Sequence, residues 1–346
     1  MPTTLKDIAK ATGLSTTTVS LVLNGKPHRI SQEKCRLIKE TAKKMDYHPN
    51  RLAVGLIKHE TKTVGLILPD ITNVFFSEVA KGLEDVLREH GYHLLLCNSN
   101  DRHEQEISAI RMMNNQMVDG LIIVMSSETV GEKEKQTFAA LKRMKRPVVL
   151  IDCFNESGGF STISIDNFKA SYIAVEYLVS LGHRRIACIC GPLGLKTNDD
   201  RLRGYTAALS DSGIPFEKAL ICQGDFRYQS GYDAIPVLLP KKPTAVLCLN
   251  DMMAYGAMNA LNNQGIRVPE DVSVMGFDDI FFSQITSVPL TVIRQPASEM
   301  GQKAGQVLLA ELSAHAEPQQ IVFEPVIRVR KSTKAVNNGN GPLGVC

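Results

Sequence analysis

The chain has 346 residues, of which 44% are hydrophobic and 22% charged, and its formal net charge is +3. Ordinary apolar content and low net charge exclude a disordered protein, and the length predicts two or three domains. No apolar run approaches the ~20 residues that span a bilayer, and no signal-peptide pattern stands at the N-terminus, so we expect a cytoplasmic protein with no membrane contact.

Basic residues are concentrated at the start of the chain. Residues 1–60 hold eleven Lys or Arg against five Asp or Glu, a net charge of +6, whereas the remainder has a net charge of −3. A basic segment on a mildly acidic body indicates an anionic partner for that segment. The alternative is a helical bundle with an ordinary charged surface.

The N-terminal segment has the capping signals of three short helices. Thr4, with Asp7 three residues later, forms a capping-box pattern, and Gly13 ends that first helix at a position that tolerates a left-handed backbone. Ser15 caps a second helix, and Ser31 caps a third. Two short helices around a tight turn, packed on a third, are typical of a helix-turn-helix that sets its second helix into the DNA major groove.

The second helix presents polar residues opposite its apolar residues Val19 and Val22. The outward residues are Thr16, Thr17, Thr18, Ser20 and Leu21. Hydroxyl groups at a helix N-terminus can contact phosphates or base edges. A threonine-rich cap on an ordinary helix is the alternative, and the order helix, turn, helix, basic loop, helix favours DNA binding over it.

A short hinge segment follows at residues 49–61. Leu52, Ala53 and Leu56 recur at helical spacing, but isolated helices shorter than ~12–15 residues are marginal in water. We expect the segment to become helical when it pairs with a second copy on DNA. A plain linker with an apolar anchor is the alternative.

From Thr63 onward, strand-like runs alternate with helical patterns. The expected strands are 64–69, 93–98, 120–125, 148–152, 163–166, 186–191, 219–223, 245–250 and 272–277. This alternation predicts parallel sheets covered by helices on both faces, and the length fits two similar halves. Ligands of such folds bind at the carboxyl ends of the strands, in the crevice between the halves.

Acidic, amide and aromatic side chains follow the expected strands. They are Asp70, Asn73, Asp101, Asp152, Asp166, Asn250, Asp251, Asp278 and Asp279, with Phe75, Phe76, Phe226 and Phe277 nearby. Carboxylates and amides suit the hydroxyl groups of a polyol, whose C–H faces pack on aromatic rings. Each acid alone could equally cap a helix or a turn, so the clustering carries the prediction.

Residues 5–24 (LKDIAKATGLSTTTVSLVLN) and 46–53 (DYHPNRLA) are similar to the head of the lactose/galactose repressor (LacI/GalR) family. The body resembles the sugar-sensing core of the same repressors and periplasmic sugar-binding proteins. The matching motifs are VGLILPD from Val64, NVFF from Asn73, LGHRRIA from Leu181, RLRGY from Arg201, GDF from Gly224, NDMMA from Asn250, GFDD from Gly276 and RQP from Arg294. The resemblance implies an N-terminal all-α helix-turn-helix head plus an α/β periplasmic-binding-protein-like core of two doubly wound subdomains.

The resemblance also implies domain boundaries. A DNA-binding domain is expected at 1–48, a hinge helix and linker at 49–61, an effector-binding and dimerisation domain at 62–333, and a disordered tail at 334–346. The two subdomains are expected at 62–161 plus 293–323 and at 162–292 plus 324–333.

The function that the resemblance implies is that of a homodimeric, sequence-specific transcriptional repressor, whose affinity for double-stranded operator DNA is controlled by a small sugar, a pentose or a related compound. The implied DNA-binding residues are Thr4, Leu5, Ser15, Thr16, Thr17, Thr18, Ser20, Leu21, Asn24, Arg29, Tyr47, Asn50, Arg51, Ala53 and Leu56, the last as a minor-groove wedge. The implied effector-binding residues are Asp70, Asn73, Phe75, Phe76, Asp101, Asp152, Asp199, Phe226, Asn250, Asp278 and Gln295. Leu21 replaces the Arg or His that is commoner there, and Cys153 and Asp199 replace two arginines of the ribose-type pattern.

Other classes of function have less support in the sequence. A purine corepressor in the same fold and a sugar-binding transport component are the alternatives. The segment 191–194 lacks the Lys-Ser/Thr of a phosphate loop, and His183 has no nucleophile motif beside it, so we expect neither an enzyme nor a cofactor. The eight cysteines form no Cys-x-x-Cys pair and are expected to be reduced, buried thiols rather than metal ligands.

Overall fold

The computed structural model describes residues 3–25, 30–47, 60–153, 159–314 and 316–336. The chain divides into two compact units, and the division lies between Thr61 and Lys62. The smaller unit, which we call the head, is helical, and the larger unit, which we call the body, alternates strands and helices.

Three helices make up the described head, and one small apolar cluster holds them together. They are α1 (Leu5–Thr12), α2 (Thr16–Leu23) and α3 (Gln32–Lys44). The buried side chains are Ile8, Ala9, Val19, Val22, Ile38 and Ala42. Each helix contributes two of them, so each buries its apolar stripe only against the other two.

The predicted helix caps are confirmed. Thr4 and Asp7 bond reciprocally in a capping box at the start of α1. Gly13 ends α1 with φ at 66°, a left-handed conformation that costs glycine little. The hydroxyl of Ser15 accepts the backbone N–H of Thr18 at 3.1 Å and so begins α2.

Two six-stranded sheets form the body within the described residues. Their strands are β1 (Thr63–Leu68), β2 (His93–Asn98), β3 (Gly120–Ile123), β4 (Val148–Ile151), β5 (Ser161–Ile165), β6 (Ile186–Cys190), β7 (Ile221–Gln223), β8 (Ala245–Cys248), β9 (Ser273–Asp278), β10 (Thr291–Arg294), β11 (Gln320–Phe323) and β12 (Val326–Arg328). The first sheet has the order β11-β5-β4-β3-β1-β2, with parallel neighbours throughout. The second has the order β12-β10-β9-β8-β6-β7, and its edge pair β10–β12 is antiparallel.

Helices cover both sheets. They are α4 (Val74–Glu89), α5 (His103–Asn115), α6 (Glu132–Arg143), α7 (Asn167–Ser180), α8 (Lys196–Asp211), α9 (Tyr228–Leu238), α10 (Asp251–Asn263), α11 (Phe282–Ile285) and α12 (Ala297–Ala314). Glycine lets α4 and α12 touch backbone to backbone. A Cβ on Gly82 would lie 2.1 Å from the carbonyl oxygen of Ser298, and one on Gly301 would lie 2.1 Å from that of Val79.

All nine expected strands are present, with some ends displaced by one or two residues. Strands β3 and β4 are buried at every position, which explains why their sequences are continuous apolar runs. The sequence pattern did not predict β10, β11 and β12. The last two have only four and three residues and are partly exposed, so they carry too little alternation to be recognised.

The chain crosses between the sheets later than the sequence predicts. Strand β5 pairs with β4 in the first sheet, although the second subdomain is expected to begin at 162. Strand β10 pairs with β9 in the second sheet, although the first subdomain is expected to resume at 293. In both places the strand completes its ladder of backbone hydrogen bonds before the chain leaves the sheet.

The start of the expected disordered tail is held against the body. The N–H of Val336 donates to the carbonyl of Leu181 at 2.8 Å, and the carbonyl of Lys334 lies 3.1 Å from Nε2 of His183. His183 is buried and its Nδ1 lies 3.0 Å from Oγ1 of Thr244, so its ring connects the start of the tail to the body. Residues 337–346 lie outside the described residues.

Candidate functional site

One side of α2 forms the candidate DNA-reading surface of the head. Val19 and Val22 are buried, which leaves the opposite side of the helix at the protein surface. Thr16 and Thr17 are exposed, and Leu21 is 38% exposed. The two threonines stand at the helix N-terminus, where free N–H groups and the helix dipole attract phosphate.

Side-chain hydrogen bonds fix the neighbouring polar groups of this surface. Oγ of Ser15 lies 2.8 Å from Oγ1 of Thr18, and Nδ2 of Asn24 donates to Oγ of Ser20 at 3.1 Å. These four predicted contacts therefore form two local pairs. Thr16, Thr17 and Leu21 are left as the outermost side chains of the helix.

The other predicted DNA contacts fall into two groups. Thr4 is engaged in its capping box, and Leu5 and Tyr47 pack against the apolar cluster of the head, where burial raises the pKa of Tyr47. The remaining predicted contacts lie outside the described residues. They are Arg29, Asn50, Arg51, Ala53 and Leu56, and the expected hinge lies there too except for its last two residues.

A cavity of about 430 Å³ opens in the body, where loops at the carboxyl ends of strands from both sheets meet. Ten of the eleven predicted effector residues line it: Asp70, Asn73, Phe75, Phe76, Asp101, Asp152, Phe226, Asn250, Asp278 and Gln295. Residues far apart in the sequence are thus brought to one crevice by the parallel topology of the two sheets.

Four of these lining residues hold backbone conformations that L-residues rarely adopt. The angle φ is 59° at Asp101, 52° at Asp152, 65° at Phe226 and 122° at Asp278. Such conformations cost about 1–3 kcal/mol each and persist where the surrounding structure imposes them, often at ligand sites.

The first sheet contributes a polar rim and two aromatic rings. Asn73 caps α4 by accepting the N–H of Phe75 at 3.1 Å, and the rings of Phe75 and Phe76 meet edge to face at 5.3 Å. The carboxylate of Asp101 accepts the backbone N–H and the hydroxyl of Ser127 at 2.7 and 2.5 Å. Burial raises the pKa of Asp101, and the Ser127 bonds oppose that rise.

Arg201 on α8 is the buried cation of the cavity. We call the part of the cavity formed by Asp152, Arg201, Asn250, Asp278 and Gln295 its deep end. The Arg201 side chain is 4% exposed, and its guanidinium carbon lies 3.8 Å from the centroid of the Phe277 ring. Nε donates to Oδ1 of Asn167 and Nη1 to the carbonyl of Leu249, both at 2.7 Å. Nη2 lies 4.0 Å from Oδ1 of Asp152, close enough for attraction but too far for a direct hydrogen bond.

Two amide side chains complete the deep end. Nε2 of Gln295 donates to Oδ1 of Asp278 at 2.6 Å. Asn250 caps α10 by accepting the N–H of Met253 at 2.9 Å, and its Nδ2 donates to the carbonyl of Phe226 at 2.7 Å. Asn250 therefore connects the start of α10 to the loop that carries Phe226, whose ring lines the cavity together with Phe75 and Phe76.

Burial dominates the electrostatics of the deep acids. It raises the pKa of Asp152 and raises that of Asp278 to about 7, while the Arg201 guanidinium opposes both rises. Among the described residues, neither Oδ1 of Asp152 nor Oε1 of Gln295 has a hydrogen-bond partner, and both atoms are buried. Buried acceptors without partners are costly, and a bound molecule that donates hydrogen bonds would satisfy both.

An ion pair spans the mouth of the cavity. Nε of Arg227, which follows β7, lies 3.9 Å from Oδ2 of Asp70, which follows β1. The Arg227 side chain is 53% exposed, so the pair adds little to stability. It does connect loops of the two sheets on opposite sides of the crevice.

Asp199 is the predicted effector residue that the structure does not place on the cavity. Its Oδ1 accepts the N–H of Gly194 at 3.1 Å, in the loop before α8. Arg201, which the sequence reasoning did not assign to the cavity, lines it instead. Two positions along a helix differ by about 200°, so only one of these two side chains can face the crevice.

Several other residues that line the cavity were also not assigned to it from the sequence. They are Ser127, Thr197, Arg227 and Tyr228, among others. Each follows a strand end by a few residues within a loop or first helical turn. The residue types carry no distinctive pattern, so no signal in a single sequence separates them from ordinary loop residues.

The described ranges contain no group of three His, Cys, Asp or Glu side chains arranged to hold a metal ion. The seven cysteines in those ranges are thiols, and burial raises the pKa of Cys188 and of Cys248, which makes those two thiols unreactive. None of the described helices has the length and apolar character needed to cross a membrane.

A helix-turn-helix head joined to a two-sheet body with a polar crevice defines a class, the DNA-binding regulators that respond to a small molecule. Residues 4–50 match the bacterial regulatory proteins of the lacI family. Residues 61–330 match the periplasmic binding proteins and sugar binding domain of the LacI family. The chain therefore belongs to the LacI family of DNA-binding transcriptional repressors controlled by small-molecule effectors.

Individual relatives agree with this assignment along nearly the whole chain. The HTH-type transcriptional repressor CytR of Escherichia coli (strain K12) is 34% identical over 336 residues, which cover 96% of this chain and 97% of that protein. The Lac repressor dimer bound to operator and the anti-inducer ONPF is 28% identical, with a TM-score of 0.85 over 97% of this chain and 100% of that one. A LacI family regulator from Enterococcus faecium with bound ribose is 30% identical, with a TM-score of 0.72 over 80% of this chain and 100% of that one.

Proposed function

We propose that the protein is a homodimeric repressor whose affinity for operator DNA is lowered by a small polyhydroxylated compound, a sugar, that binds in the body cavity. The observation that carries the proposal is the pair of buried acceptors without partners, on Asp152 and Gln295, in a cavity that also has aromatic rings. Sugar hydroxyls donate to such acceptors while the C–H faces of the sugar pack on the rings. The ribose in the Enterococcus faecium relative supports this class of ligand.

The head supplies operator recognition in this proposal. Thr16, Thr17 and Leu21 contact base edges, with Leu21 against a thymine methyl, and Lys and Arg side chains contact phosphates. A second copy of the chain reads the second half-site, as the Lac repressor dimer on its operator supports. Leu56 wedges into the minor groove between the half-sites. Such a protein acts on DNA in the cytoplasm and has no catalytic task.

The effector acts because its partners belong to both sheets. Asn73 and Asp152 follow strands of the first sheet, and Asn250 and Asp278 belong to strand ends of the second. A ligand that contacts all four draws the two halves together and changes the spacing of the paired hinges. Allosteric coupling of about 1–3 kcal/mol corresponds to a loss of operator affinity of about 5–150-fold.

The test uses fluorescence anisotropy of a labelled operator duplex selected from random sequences. Pentoses, hexoses, disaccharides and purines are added in turn, and a sugar is expected to raise the Kd for the duplex. Asn250→Ala should bind the duplex but not respond, whereas Glu270→Gln, which changes an exposed acid outside the cavity, should respond normally. A purified chain that binds no duplex, or that responds to purines alone, contradicts the proposal.

A further inference from the structure

The cavity is acidic. Its described lining contains two guanidiniums, from Arg201 and Arg227, and no lysine or histidine. It also contains five carboxylates, which belong to Asp70, Asp101, Asp152, Asp225 and Asp278, so its formal charge is −3. A neutral sugar offers no charge to balance this excess, and an anionic ligand such as a sugar phosphate is repelled by it.

Most of the hydrogen-bond donors at the deep end are already in use. Nε and Nη1 of Arg201, Nε2 of Gln295 and Nδ2 of Asn250 all donate to other groups of the protein. Two acceptors there, Oδ1 of Asp152 and Oε1 of Gln295, are buried without a partner, and Nη2 of Arg201 lies 4.0 Å from the first of them, beyond hydrogen-bond distance. Gln295 is only 4% exposed, so solvent does not reach it freely.

The balance of donors and acceptors distinguishes an amine from a hydroxyl. A hydroxyl group donates one hydrogen bond and also accepts, so it can satisfy only one of the two buried acceptors, and its lone pairs find no donor on either of them. An ammonium donates three hydrogen bonds and accepts none. Charge-assisted bonds between an ammonium and a carboxylate are also stronger than neutral ones.

We propose that the effector carries a basic amine in addition to hydroxyl groups, and that its ammonium donates to Asp152 and Gln295. The inference rests on the proposed function, because it names the chemical class of the ligand of the same cavity. An aminated sugar or sugar alcohol fits: the ammonium neutralises part of the acidic deep end, and the carbon skeleton packs on Phe75, Phe76 and Phe226. Burial raises the pKa of Asp152 and of Asp278, and a bound ammonium would oppose that rise by favouring the charged carboxylates.

The test compares matched pairs that differ in one functional group. Isothermal titration calorimetry of the full chain near neutral pH uses D-ribosamine with D-ribose, D-glucosamine with D-glucose, D-galactosamine with D-galactose, and D-glucamine with D-glucitol. The amine of at least one pair is expected to bind about tenfold or more tightly than its alcohol, since a hydrogen bond to a charged group is stronger than one between neutral groups.

Variants of the cavity assign the preference to the proposed atoms. Asp152→Asn should reduce the amine preference to about onefold, whereas Glu270→Gln should keep it, because both remove one acid but only the first removes it from the cavity. Gln295→Glu adds a carboxylate at the other acceptor and should increase the preference. Operator binding by each variant serves as the check that it has folded.

Three results overturn the inference: alcohols that bind as tightly as their amines, a preference that survives Asp152→Asn, or no amine binding up to about 10 mM. Failure of the proposed function is a separate outcome. If alcohols alone bind and release the operator, the sugar-responsive repressor stands and the amine does not. If no compound alters operator binding, the proposed function itself fails.

Discussion

Replacement of Arg201 by methionine should destabilise the body strongly. The Arg201 side chain is 4% exposed, donates two hydrogen bonds of 2.7 Å and stacks on Phe277. Methionine fills much of the same space with a flexible apolar chain but supplies no donor and no charge. The variant therefore leaves the carbonyl of Leu249 and the amide oxygen of Asn167 without partners, and Asp152 without its nearest cation.

The size of the effect follows from these losses. An unsatisfied buried acceptor costs about 1–3 kcal/mol, and breaking a buried charge pair by removing one partner costs about 3–5 kcal/mol. These two costs describe partly the same loss, so they do not add in full. Burial also raises the pKa of Asp152 and of Asp278, so these acids can take up protons instead of staying charged. We expect a total loss of about 4 kcal/mol, which lowers the Tm of a body of this size by about 7 °C.

The measurement is thermal and urea unfolding followed by circular dichroism, with two companion variants. Arg201→Lys keeps the charge but loses the planar fork, so its loss should be intermediate. Arg203→Met changes a 66% exposed arginine on the same helix and should alter stability by less than about 0.5 kcal/mol. A loss below about 1 kcal/mol in Arg201→Met would refute the view that this buried cation organises the deep end.

The remaining predictions concern pH, the hinge and salt. Because burial raises the pKa of Asp278 from 3.8 to about 7, the folded body binds a proton that the unfolded chain has lost, and its stability falls as pH rises through that window. The Tm of Asp278→Asn minus that of the wild type should grow from pH 4 to 7, and a constant difference would contradict the assignment. Leu56→Ala, a change outside the described residues, should weaken operator binding in a gel shift while sugar affinity is unaltered; equal operator affinity would argue against the wedge. Operator affinity should fall about a thousandfold between about 50 and 200 mM salt for about six phosphate contacts, and a flat profile would exclude them.

Local signals made the head predictable from its sequence. Thr4, Gly13 and Ser15 act through hydrogen bonds or backbone angles within a few residues of themselves, so a single sequence contains the whole interaction. The cavity was predictable for a different reason. Parallel topology sends every strand end to one edge, so the acids and amides at strand ends, such as Asp152 and Asn250, had to meet once the strands were recognised.

Long-range choices were not predictable in the same way. Asp199 and Arg201 lie two positions apart on α8, and the sequence does not show which of them the helix turns toward the crevice. The strands β10, β11 and β12 are formed by pairing with distant strands, and their own residues are too few to show a period. The partners of Arg201, which are Asn167 and Leu249, and the strands that pair with β10, β11 and β12 are all more than ten residues away along the chain.

The role of Arg201 and the chemistry of the ligand are connected through one charge balance. Arg201 is the buried cation of the described lining. Two of its three nitrogens donate hydrogen bonds to Asn167 and Leu249, so these bonds stabilise the fold and do not reach a ligand. Arg201 balances one of the two charges of Asp152 and Asp278, and we expect the ligand to supply the second. Arg201→Met removes a cation from the deep end, and it should therefore increase the preference for amines over alcohols even while it lowers the Tm. A variant that lost stability and amine preference together would show that Arg201 mainly holds the acids in the geometry that binds the ammonium, rather than competing with the ammonium for their charge.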